Sequence, residues 1–270
     1  MESQDIFYLH MAFDEYMPEN IGNQQILVME HMVELLESQN FSDLFFSIYS
    51  PETIDTFNVI KNIYNTSLAW DSGSIDKTEF NNSADMTVII QTGYTQHAIS
   101  IILIKTSVDK FKIIIVNSGG GVQYHGVSVR NNVMTAKIFV ELTLNISDID
   151  KVLDLIYINN LRKISKTGKI DHAYFYDCII QKIHSISDER ELPFNELRGI
   201  EYYTQNSGSC TFYSTFYPIY YFLQMYGKPD KDQFRKLEYL LSLYSMHEKN
   251  SRYDLYRGQR ILFVERILCE

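Results

Sequence analysis

Cysteine is scarce in this chain. There are three in 270 residues, Cys178, Cys210 and Cys269, and none lies in a C-x-x-C pair. Three thiols cannot all pair with one another, and the spacing fits neither a disulfide framework nor a zinc module, so no metal is expected and a reducing, cytoplasmic compartment follows. Positive charge is short as well. With 24 Lys and Arg against 34 Asp and Glu, the formal charge is −10, which argues against the basic stripe of a general nucleic-acid binder and suits a basic protein partner. Five prolines and 12 glycines leave no Pro/Gly/Ser linker long enough to define independent domains. No internal repeat is visible. The longest apolar runs are too short or too interrupted to span a bilayer, and no N-terminal apolar block reads as a signal peptide. A chain of this length can bury a sizeable core.

What is present centres on one thiol. Gln205-Asn206-Ser207-Gly208-Ser209-Cys210-Thr211-Phe212 runs from a polar glycine turn into an apolar helical segment, which puts Cys210 at a helix start. Unpaired backbone N–H groups and the positive end of the macrodipole favour thiolate there. A lone cysteine is by default a core residue. Gln205 shifts the balance, because an amide donor beside a thiol can hold an oxyanion during acyl transfer, and Gly208 allows the tight bend between them.

A thiol nucleophile needs a base. Of the seven histidines, His97 opens the apolar run Ala98 to Ile104, and a second run, Phe111 to Val116, follows a short polar turn. Two β-branched runs so joined read as an antiparallel hairpin. With the turn centred on Ser107 or Val108, facing residues have numbers totalling roughly 214 to 217; those of His97 and Asn117 total 214. The pair is therefore expected at the open end of the hairpin, with the Asn117 carbonyl accepting the Nδ1 proton of His97 and the other ring nitrogen left as base. Asn117-Ser118-Gly119-Gly120-Gly121 is also turn chemistry. His125, just past that turn, is the rival base, and His172 a weaker one.

Along the rest of the chain, apolar spacing predicts helices over 19–39 and, opened by Pro51, to 65. Residues 41–50 read as a short strand or loop, and 72–85 as a polar surface excursion. Strands are expected at 86–91, 126–130, 137–144 and 199–203. Helices are expected after the Ser147-Asp148-Ile149-Asp150 cap, over 171–183, and at 211–226, 230–245 and 257–269, with Pro218 kinking the first of the last three. The aromatic run from Tyr213 to Phe222 has helical spacing and reads as core. Trp70 reads as a packing residue.

The order His97, Asn117, Gln205, Cys210 resembles the clan of papain-like cysteine peptidases in which histidine comes first and cysteine last. That clan includes the adenovirus maturation protease, proteases specific for SUMO and related ubiquitin-like modifiers, and bacterial effector deubiquitinases and acetyltransferases. The likeness covers two windows, about 97–121 and 205–222. Ala98 stands where many members carry tryptophan, and Thr211 where many carry glycine. The combination of Asn-Ser-Gly-Gly-Gly with Gln-x-Ser-Gly-Ser-Cys-Thr is also similar to uncharacterised protease-like proteins of large DNA viruses and intracellular bacteria, which implies host cytosol or virion.

The resemblance implies an α+β, papain-like fold over 1–270, in which an antiparallel central sheet faces a helix headed by Cys210. N-terminal helices (about 19–65) and a helical insertion (about 146–198) would be added to it. It implies a cysteine peptidase or isopeptidase with Cys210 as nucleophile, His97 as base, Asn117 as orienting group and Gln205 as oxyanion donor. No cofactor is implied, and the partner would be a protein substrate such as ubiquitin or a ubiquitin-like modifier. An acyltransferase with the same triad and a catalytically silent interaction protein on the same fold are the alternatives.

Overall fold

A computed structural model describes residues 24–49, 53–71, 76–95, 97–130, 133–165, 170–204, 210–227 and 231–238. The architecture is α+β, an antiparallel sheet with helices on both faces. The hairpin of β1 (Thr87–Tyr94) and β2 (His97–Lys105) continues into β3 (Lys110–Val116). The long β5 (Val133–Asn145) pairs with β3 and, further toward its start, with β4 (Val127–Arg130); β6 (Gly199–Tyr203) also pairs with β5. These strands form because β-branched residues fill both faces. Ile99, Ile101, Leu103, Ile113 and Ile115 face one core, while Ile102, Ile104, Ile114 and Val116 face the other. A sheet buried on both sides reads as continuous apolar runs.

The first core is closed by α1 (Gln24–Glu37), α2 (Gln39–Ile48), α3 (Ile54–Asp71) and α7 (Cys210–Tyr226). The expected aromatic core is there: Tyr213, Phe216, Tyr217, Tyr220, Tyr221 and Phe222 are all buried. The second core is closed by α4 (Lys77–Asn82), by α5 (Ile149–Ser165), and by a π-helical stretch, Tyr174–Ile180, that runs on into α6 (Gln181–Ser185).

Three expectations need correction. Residues 41–50 were expected as strand or loop, yet α2 is helical to Ile48. Ser38 caps it, accepting from the Phe41 N–H at 3.2 Å, and Phe41 and Phe45, one turn apart, both bury against Phe57. Aromatic stripes at i, i+4 outweigh the strand preference of the same residues. Within the supposed surface excursion, α4 forms because Asp76 caps two backbone N–H groups and because Phe80 is fully buried between Trp70 and Phe111. Helix 3 also runs six residues beyond the expected end at 65. The expected helix at 257–269, the final residues of that at 230–245, Pro51 and Gln205 lie outside the described residues.

Pro218 sits inside α7, where it removes the donor for the Ser214 carbonyl and crowds the preceding turn. Just there the Tyr64 hydroxyl of α3 donates to the Thr215 carbonyl. The phenol thus ties α3 to the backbone of α7 three residues before the proline.

Candidate active site

Strands β1 and β2 turn over between Tyr94 and His97, which pair directly. Gly93 permits it. Its φ is +129°, and a Cβ there would fall 2.3 Å from the His97 carbonyl oxygen. The Tyr94 ring then stacks on the His97 imidazole, with centroids 4.8 Å apart and planes inclined by 29°.

The β2–β3 register pairs Ser100 with Val116 and Ile102 with Ile114. Continued one step, it sets Asn117 opposite Ile99, so His97 and Asn117 are diagonal neighbours on one face, two residues off direct opposition. Such neighbours remain within side-chain reach. His97 Nε2 lies 2.9 Å from Asn117 Oδ1, and both residues are buried.

The Asn117 amide has a fixed sense. Its Oδ1 accepts from the Gly119 N–H at 3.0 Å, and its Nδ2 donates to the Gly120 carbonyl at 2.7 Å; a flipped amide would face donor with donor and acceptor with acceptor. His97 Nε2 must therefore carry the proton, and Nδ1 holds the lone pair. The expected pairing was through Nδ1. The nitrogens are exchanged, because Asn117 reaches the ring from the diagonal position.

Cys210 is the first residue of α7, as expected, and is buried. Its Sγ accepts the backbone N–H of Ala98 at 3.3 Å. The thiol thus lies against the residue that follows His97, at the head of β2. Three of the four expected site residues are in this way brought together, while Gln205 lies outside the described residues. Cys178 is half-buried.

Burial drives the His97 pKa down to about 4 against the pull of the Asn117 bond, and Lys163 adds to the depression. The imidazole is neutral at pH 7. The rival base His125 is fully buried with both nitrogens engaged: Nδ1 donates to the Lys137 carbonyl at 2.8 Å, and Nε2 accepts from the Tyr176 hydroxyl at 2.7 Å. Tyr176 is in turn 2.8 Å from Asn117 Nδ2. His172 is exposed, beside Tyr94 and Tyr124.

Sequence reasoning missed Tyr176 and Lys163. Lys163, in the last turn of α5, donates to the His97 carbonyl at 3.4 Å. Burial lowers its pKa to about 8, while charge on Cys210 raises it. By reciprocity the ammonium favours thiolate at Cys210. Lys163→Gln is expected to slow alkylation of Cys210 severalfold at pH 7 in low salt, and added salt should narrow the gap. Equal rates in wild type and variant would remove Lys163 from the site. No sequence signal ties α5 to the hairpin. Tyr94, which pairs with His97, was missed as well, because the strand before it was expected to end at residue 91.

Among the described residues no group of His, Cys, Asp and Glu is placed to hold a metal ion, and no helix is long and apolar enough to cross a membrane. Comparison with protein-family models, with curated proteins and with solved structures finds no match for this chain.

Proposed function

We propose that the protein is a cysteine peptidase or isopeptidase of the papain-like type, with Cys210 as nucleophile, His97 as general base and Asn117 as the group that orients it. The observation that carries this reading is the 3.3 Å bond from the Ala98 N–H to Cys210 Sγ, which sets a helix-start thiol one residue from an imidazole whose proton position is fixed.

Because burial disfavours imidazolium, the resting pair is thiol and neutral imidazole, and the proton moves as the sulfur attacks. Nδ1 of His97 takes the Cys210 proton, and the sulfur bonds to the acyl carbon. Gln205 and the backbone N–H of Cys210 hold the oxyanion. The leaving amine departs with the proton from His97, and water, deprotonated by the same ring, then releases the acid and regenerates the thiol. A protein substrate ending in a flexible tail, such as ubiquitin or a ubiquitin-like modifier, is the partner this chemistry and the acidic surface suit.

Electrophilic probes built on ubiquitin and on SUMO test the proposal. The expected result is covalent capture at Cys210, ahead of Cys178 and Cys269, that is lost in His97→Ala. Acyl transfer from a coenzyme A thioester without hydrolysis would replace the peptidase reading by the acyltransferase one. Equal labelling of all three thiols by probes and by small electrophiles alike would leave an interaction protein.

A further inference from the structure

We propose that Tyr176 and His125 form a positioning relay that ties the Asn117 amide, and through it the His97 ring, to the sheet. The inference rests on the reading of His97 as the base, and neither residue of the relay touches substrate.

The direction of every hydrogen bond in the relay follows from its far end. The Lys137 carbonyl can only accept, so His125 Nδ1 carries the proton of the bond between them. A neutral imidazole protonated there must accept at Nε2, so the Tyr176 hydroxyl spends its single proton on His125. The Tyr176 oxygen is then an acceptor, and it takes the second amide hydrogen of Asn117. The first goes to the Gly120 carbonyl. With both amide hydrogens committed, Asn117 Oδ1 is held toward His97 Nε2. The two imidazoles are thereby fixed in opposite tautomers, Nε2–H at His97 and Nδ1–H at His125. Burial favours the neutral form of both rings, whose pKa values are lowered to about 4, which keeps the arrows pointing one way at physiological pH.

The relay supplies what the other two partners of Asn117 lack. Gly119 and Gly120 belong to a glycine turn, a backbone with few restraints of its own. Tyr176 and His125 are anchored elsewhere. Tyr176 is buried in the second core and stacks on Tyr124 at 4.5 Å with planes 5° apart. The carbonyl that ends the relay is at the β5 irregularity where the pairing with β6 shifts between Lys137 and Phe139. The turn is shaped to this ring: Gly121 has φ +80°, and a Cβ there would lie 2.7 Å from Tyr176 Cε2. A bulge of one strand thus sets the orientation of a side chain at the end of another.

The test is made on the full chain labelled with ¹⁵N-histidine. Long-range ¹H–¹⁵N correlations report the tautomer of each ring independently of any catalytic activity. Wild type should show His97 as Nε2–H and His125 as Nδ1–H. Tyr176→Phe keeps the ring and its stacking but removes the hydroxyl. It is expected to give His97 mixed tautomers and to slow Cys210 alkylation about tenfold, the effect of losing one buried hydrogen bond. His125→Leu removes the acceptor for the Tyr176 hydroxyl and should give the same His97 signature. Either variant, shown folded by circular dichroism, suffices. A single Nε2–H tautomer at His97 together with an unchanged alkylation rate would overturn the relay and leave the proposed function standing. Alkylation of Cys210 that does not depend on His97 would instead sink the proposed function, whatever the tautomers.

Discussion

Replacing His97 with alanine should slow alkylation of Cys210 by iodoacetamide about a hundredfold at pH 7, within the range that a positioned base contributes. The rate at Cys178 should not change. The thiol would keep its helix start and the Ala98 N–H, both of which favour thiolate, so what the variant removes is the proton acceptor alone. Asn117→Ala should act more weakly, about tenfold, since the ring would remain stacked on Tyr94 but be free to turn over. Peptide mass spectrometry after timed quenching measures all of these rates in one sample, with Cys178 as the internal standard. A His97→Ala protein whose two thiols react as in wild type would show that the imidazole and the sulfur do not act as a unit.

Asp71→Asn should stabilise the protein by about 2 kcal/mol at pH 8 and by nothing measurable at pH 4. Asp71 ends α3, where the helix dipole opposes negative charge, and its Oδ2 finds no hydrogen-bond partner among the described residues. Burial raises its pKa from 3.8 to about 7. A carboxyl whose pKa is higher in the folded protein than in the unfolded chain favours folding while protonated. Its burden is absent below about 4, grows as pH rises, and is complete above about 7. Burial gives Glu238 the same sign, with a pKa raised to about 7.

The two imidazoles pull the other way. With folded pKa values lowered from 6.5 to about 4, their contribution is whole above 6.5 and is lost as pH falls toward 4. Two carboxyls and two imidazoles of similar shift nearly cancel, so wild-type stability should be almost flat between pH 4 and 7, while the Asp71→Asn curve should fall with acid. Urea denaturation at pH 4, 6 and 8 decides it. Parallel curves for the two proteins would mean that Asp71 titrates normally.

Legibility in the sequence divided along physical lines. The β2–β3 hairpin, the nearness of His97 to Asn117 and the placement of Cys210 at a helix start were all readable, because strand alternation, turn residues and helix-start chemistry are local. The two-residue displacement of the pair was not, since a ladder fixes which residues oppose one another and long side chains also meet along its diagonals. Nor was the choice between the two ring nitrogens, which follows from the diagonal position at which the Asn117 amide meets the ring. Tyr176 and Lys163 come from the 149–185 region, whose packing against the second core brings them to the hairpin through contacts that no local pattern records. Helix 2 was misread because phenylalanine and serine suit either state until Phe57 is known to wait on the other side. Helix 4 buries a single apolar side chain, Phe80, too little for periodicity to detect.

The phenol of Tyr64, bonded to a backbone carbonyl of α7, bears on how this protein can be dissected. The N-terminal helices are mechanically part of the nucleophile's own support, for the hydroxyl they contribute holds the Thr215 carbonyl in the stretch of α7 that Pro218 weakens. A shortened fragment beginning after residue 71 would retain Cys210, His97 and Asn117 in name, yet its thiol would ride on a rod that has lost this tie.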